Sequence, residues 1–119
     1  MTNDARLAAT PAPPYWVVMF TSRRTGEDAE GYARMADAME QLAAKQPGYL
    51  GVETVRGAEG VGITLSYWAS EQAIHDWKRV AAHTRAQRLG HERWYDDFVT
   101  RVAKVERAYT KATSVRAGL

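Results

Sequence analysis

Residues 49–68 read YLGVETVRGAEGVGITLSYW. Two aromatic and β-branched runs, Tyr49–Arg56 and Val61–Trp68, flank the connection Gly57-Ala58-Glu59-Gly60. Glycines in a short connection between such runs signal a β-hairpin. Upstream, Tyr32, Met35, Ala36, Met39, Leu42 and Ala43 recur at three- and four-residue spacing. That spacing predicts an amphipathic helix from about Glu27 to Lys45, stopped by Gln46-Pro47-Gly48. Thr25-Gly26-Glu27-Asp28 sets a carboxylate three residues after a hydroxyl, the pattern of a capping box at Thr25. Downstream, Ser70 stands at an N-cap position with Glu71 in the first turn, and a second helix is expected to run to about Leu89.

Further out, Tyr15–Ser22 (YWVVMFTS) reads as a strand apolar on both faces. HERWYDDF, residues 91–98, reads as a short helical turn, and Phe98–Tyr109 as a last strand. The resulting order, β-α-β-β-α-β, is the ferredoxin-like α+β topology, an antiparallel sheet with two helices on one face. The first strand offers Tyr15, Val17 and Met19 to one side and Trp16, Val18 and Phe20 to the other. The side away from the helices is therefore also apolar, and monomers rarely expose such a face. A homodimer formed through the open sheet face is expected. Cover by the N-terminal arm and C-terminal tail is the alternative, opposed by their polarity.

A chain of 119 residues suits a single core. Residues 15–109 form the expected domain, between a flexible arm (1–14) ending in Pro11-Ala12-Pro13-Pro14 and a flexible basic tail (110–119). Lysine and arginine number 16 against 14 aspartate and glutamate, with a pI near 9.0. Residues 15–109 carry 13 of each sign, so the excess lies in the tail, on Lys111 and Arg116. A neutral body argues against nucleic acid as a partner. Without cysteine there is no disulfide framework, thiolate metal site or cysteine nucleophile. No apolar run approaches the roughly 20 residues that span a bilayer, so no membrane partner is expected. Residues 1–14 lack the apolar stretch of a signal peptide, so a cytoplasmic protein is expected. Four tryptophans and six tyrosines are the unusual part of the composition.

Residues Tyr15–Ser22, the run Met39–Gly51 (MEQLAAKQPGYLG), Ser66-Tyr67-Trp68, Trp77, His83 and Arg93-Trp94-Tyr95 together resemble the antibiotic biosynthesis monooxygenase (ABM) family. The resemblance covers residues 15–109. It implies a dimeric α+β barrel with a pocket between sheet and helices in each subunit. Relatives of this kind include monooxygenases that oxidise polycyclic phenols without metal or flavin, and haem-degrading proteins. The haem-degrading branch resembles an Asn–Trp–His arrangement with its asparagine on the first strand. Here the only asparagine is Asn3, and Gln87 stands where that branch has its histidine. The pocket and Trp77 are therefore carried over, and the haem chemistry is not.

At about 100° per residue, with Trp77 as zero, Ala73, Ile74, Val80, Ala81 and Thr84 fall within about 60° of it. These define the inward face of the second helix. Gln87 lies at about −80° and His83 at about −120°, on one edge, while His75 at about 160° points to solvent. His83 is the candidate general base, imidazole being the side chain that ordinarily titrates closest to neutral pH. Its plainer reading is a partly exposed histidine making one hydrogen bond. Gln87 is a candidate for holding a substrate oxygen.

Tyr67, Trp68, Trp77, Trp94, Tyr95 and Phe98 gather half of the chain's aromatics into 32 residues. Such walls suit a flat polycyclic ligand, though each ring alone reads as core. Arg101 shares a face of the last strand with Val99, Ala103 and Val105. A guanidinium there either holds an enolate or phenolate or pairs with Glu53 or Glu106. The glycines of residues 57–62 sit in a hairpin and lead into a strand, so they form no dinucleotide fingerprint. His75, His83 and His91 show no metal-ligand spacing, and no metal or other cofactor is expected.

The reading as a whole is a cofactor-independent monooxygenase using O₂ on a small aromatic or quinol-type substrate. In it His83 is catalytic, and Trp68, Trp77, Gln87, Trp94, Tyr95 and Arg101 bind substrate. A non-catalytic small-molecule-binding or stress-response module is the alternative from another class. Haem binding comes third.

Overall fold

The computed structural model describes residues 7–86 and 94–114, with side chains for all of these but 84–86. The elements run β1 (Tyr15–Arg24), α1 (Ala29–Ala44), β2 (Tyr49–Arg56), β3 (Val61–Trp68), α2 (Glu71–Ala86), β4 (Tyr95–Val105) and a single turn, α3 (Lys111–Ser114). The four strands form one antiparallel sheet in the order β2-β3-β1-β4. This is the α+β ferredoxin-like fold that the alternating elements predict. The hairpin strands have the bounds expected from their glycine connection.

Three local expectations shift. The cap of α1 is Asp28 rather than Thr25: its carboxylate accepts from the Gly31 N–H at 3.2 Å, while Thr25 Oγ1 accepts from Glu27 N–H at 3.1 Å. Two overlapping candidates for one helix start are thus both used, the threonine in the turn and the aspartate at the cap. Ser70 does cap α2, its Oγ accepting from Ala73 N–H at 3.1 Å. The segment from Tyr95 to Phe98 is strand, not helix, since β4 pairs with β1 through a bulge at Arg23/Arg24. Arg23 Nε donates to Asp96 Oδ2 across that pair at 2.7 Å. A long-range ladder overrides the local helical pattern here. Residues 91–93 of the predicted turn lie outside the described residues. Beyond Tyr109, residues 111–114 form a turn closed by Thr110 and Thr113.

Register assigns each strand residue to a face. Trp16, Val18, Phe20 and Ser22 of β1 lie opposite Trp68, Ser66, Thr64 and Gly62 of β3 and face the helices. Trp68 is fully buried there, among Ala43, Ala73, Ile74, Trp16, Val18, Tyr49 and Trp77. Gly48 lets α2 approach: its φ is +87°, and a Cβ on it would stand 2.6 Å from that of Ala73.

The other face carries Tyr15, Val17, Met19 and Thr21 with Tyr67, Leu65 and Ile63. One end of it is covered by the arm. Ala8 N–H donates to Glu53 Oε2 at 2.9 Å, and Thr10 Oγ1 donates to Tyr15 OH at 2.9 Å. These polar contacts tie the arm to the sheet. At the opposite end Val55, Val61, Ile63 and Val99 remain exposed. Among the described residues no helix is long and apolar enough to cross a membrane.

Candidate functional site

The helix-facing side of the sheet has two aromatic ends. At the first, α2 lays Trp77 on Trp68, rings stacked 5.9 Å apart at 22°, with Tyr49 edge-on to Trp68 at 5.6 Å. Trp68 Nε1 donates to Ser66 Oγ at 2.9 Å, which satisfies the one polar atom of this buried indole. Trp77 is only half-buried and is the member of the pair that can meet a ligand.

At the second end, β1, α1 and β4 bring together Phe20, Tyr32, Trp94, Tyr95 and Phe98. Tyr95 packs edge-on to Phe20 at 5.4 Å and to Tyr32 at 5.8 Å, and Phe98 lies 5.4 Å from Phe20. Trp94 is buried, its Nε1 donating to Asp28 Oδ2 at 3.2 Å, so the cap of α1 also anchors the start of β4. Phe98 is 58% exposed and Val102 49%, although both sit on the helix-facing side. They leave an uncovered apolar floor beside Phe20 and Tyr95. Burial, with the neighbouring Tyr32 hydroxyl, holds the Tyr95 phenol well above its ordinary range.

Two arginines that sequence reasoning did not single out meet at this second end. The Arg24 guanidinium carbon stands 3.7 Å from the centre of the Tyr32 ring, and that of Arg56 5.5 Å from it. Arg56 Nη2 donates to Ser22 Oγ and to Tyr32 OH, both at 3.1 Å, and Nη1 donates to the Gly60 carbonyl. The detectable signal was the register: once β1, β3 and β2 are aligned, Ser22, Gly62 and Arg56 stand in one row.

The predicted site residues thus divide. Trp68 and Trp77 come together at one end, Trp94 and Tyr95 at the other. His83 is exposed near the C-terminal part of α2, and His75 faces solvent as the helical wheel predicts. Gln87 lies outside the described residues. Arg101 is on the opposite face of the sheet, across from Met19. Among the described residues it pairs with neither expected carboxylate. Glu53 is engaged instead by the Tyr67 hydroxyl, which donates to Oε1 at 2.6 Å, and by Ala8. Burial and this carboxylate push the Tyr67 phenol well up from its ordinary value. No group of three or more metal-ligating side chains gathers among the described residues.

A family model described as antibiotic biosynthesis monooxygenase matches residues 14–89. The "Uncharacterized protein YqjZ" of Bacillus subtilis (strain 168) is 48% identical over 101 residues, 85% of this chain and 88% of its own length. The crystal structure of PA3566 from Pseudomonas aeruginosa aligns with a TM-score of 0.63 at 14% identity, covering 83% of this chain and 99% of that one. SnoaB from Streptomyces nogalater, a cofactor-independent oxygenase, aligns with a TM-score of 0.59 at 13% identity, covering 83% and 98%. At those identities the two structures share the fold.

Proposed function

The chain belongs to the antibiotic biosynthesis monooxygenase family, and from that premise we propose that it is a cofactor-independent monooxygenase for a small, flat, electron-rich aromatic or quinol. The observation that carries this reading is the uncovered floor of Phe98 and Val102 beside Phe20 and Tyr95 on the helix-facing side. A planar substrate lies on such rings with little entropic cost, and in this reading the Tyr95 phenol donates to a substrate oxygen.

In this mechanism His83, or a water that it holds, takes the proton from an acidic C–H or O–H of the substrate. The anion passes an electron to O₂, and the resulting radical pair joins to form a C–O bond. Loss of water from the hydroperoxide leaves the carbonyl product. Both electron pairs come from substrate, so one O₂ is consumed for each water and each carbonyl formed. Trp77 and Trp94 bound the two ends of the substrate space, and Gln87 holds its oxygen.

The enzyme works as a homodimer in this reading. Val55, Val61, Ile63 and Val99 form its apolar seam on the open face, and Arg101 faces the partner subunit. Oxygen uptake with a panel of anthrones and quinols tests the activity. Uptake with one carbonyl product per O₂ is expected. Retention of the same compounds in equilibrium dialysis with no uptake would replace the enzyme by a binding module.

A further inference from the structure

A cavity of about 420 Å³ opens between the β1–α1 loop and the β2–β3 turn, lined by Arg24, Arg56, Glu59 and the glycine-rich backbone of both turns. Its two cations share the Tyr32 ring. Arg56 is tied in place by Gly60, Ser22 and Tyr32. Arg24 is not tied in this way: its Nε and Nη2 are buried without a hydrogen-bond partner among the described residues. Those atoms are the adjacent donors of one guanidinium edge, the edge that receives a carboxylate or phosphate through two parallel N–H···O bonds.

Buried donors left without acceptors cost stability, and two like charges against one ring repel. The cation–π contact with Tyr32 offsets part of this, but it supplies no acceptor. Glu59, the carboxylate in the lining, makes no ion pair with either arginine among the described residues. Asp28, at the cap of α1, is occupied by Gly31 and Trp94.

We propose that this cavity is an oxyanion site, taking a carboxylate or phosphate group between Arg24 and Arg56. Arg24 turns its unbonded edge into the cavity to do so, a movement that breaks no hydrogen bond because that edge makes none. Arg56 supplies the second charge from a fixed seat. The site is defined by binding alone and does not rest on the oxygenase reading.

The test follows the arginine Nε–Hε resonances of the full chain by NMR. The titrants are sodium phosphate, sodium acetate and, at matched ionic strength, sodium chloride. A saturable shift of the Arg24 resonance with phosphate or acetate, absent with chloride, is expected. Saturation by phosphate alone assigns the site to phosphorylated ligands, and equal saturation by acetate assigns it to carboxylates. Arg24→Gln and Arg56→Gln are each expected to weaken binding at least about tenfold. Arg23→Gln, on the other face and paired with Asp96, leaves it unchanged. Arg24→Lys keeps the charge without the two-donor edge, and should weaken binding to a similar degree if Arg24→Gln does not fold. Shifts identical in chloride, absence of saturation by either oxyanion, or undiminished binding in the folded Arg24 variant overturns the proposal.

Discussion

The guanidinium of Arg56 lies flat against Gly62, so close that a Cβ on residue 62 would stand 2.5 Å from its central carbon. The missing side chain on β3 is the seat of the arginine on β2, and Ser22 on β1 completes it. Gly62→Ala should displace Arg56 while leaving the sheet intact. Alanine suits a strand better than glycine does, so the net stability change stays within about 1 kcal/mol. Oxyanion affinity falls in the same variant. A urea titration followed by far-ultraviolet circular dichroism, beside the phosphate titration, checks both halves.

The two stacked tryptophans should differ in their importance to folding. Trp68 is fully buried, and Trp68→Ala is expected to cost about 3–5 kcal/mol through lost transfer energy and the cavity left behind. Trp77 keeps part of its surface in solvent, and Trp77→Ala should cost roughly half as much. Comparable losses in urea midpoint for the two variants would contradict the burial difference.

High pH should weaken the fold through its tyrosines. Tyr67 and Tyr95 both have phenols raised above the ordinary value near 10, chiefly by burial. Between the unfolded and folded titrations the unfolded chain has released protons that the native state still holds. The stabilisation is therefore complete below about pH 10 and is lost progressively above it. Tyr67→Phe removes one of the two phenols and should flatten the decline in urea midpoint above that pH.

A charge placed on the open face should prevent self-association. Ile63 is exposed at the uncovered end of that face, and Ile63→Lys is expected to convert a dimer into a folded monomer. Sedimentation equilibrium reads the mass, and an unchanged dimer mass would place the seam elsewhere.

His83→Ala should lower oxygen uptake by about 10²- to 10⁴-fold, the usual worth of a general base. The dimer should remain folded, since His83 is exposed. Full uptake in this variant would remove the imidazole from the reaction.

Local chemistry made the sheet and its helices legible before any coordinates. Gly57 and Gly60 marked the hairpin, Ser70 marked the start of α2, and the wheel around Trp77 separated Ala73, Ile74 and Ala81 from His75. Alternation also assigned Arg101 to the face of Val99 and Ala103, but alternation cannot say which face the helices cover. Trp77 and Tyr95, both read as substrate-binding, belong to opposite ends of the sheet. Two other features were set by partners distant in sequence. Residues Tyr95–Phe98 became strand because β1 offered them a ladder and Arg23 offered Asp96 an ion pair. Arg24 and Arg56 met only because three strands took one register, which no spacing within either strand announces.

The separation of the tryptophans has a practical side. Trp16, Trp68 and Trp77 share one cluster, whereas Trp94 stands alone beside the arginine-flanked ring of Tyr32. The chain therefore carries two intrinsic fluorophores in effect, one at each end of its core. A Trp94→Phe variant would isolate the emission of the first end, and its difference from the parent would isolate the second. Loosening at the oxyanion end can then be timed against loosening of the main core without attaching any label.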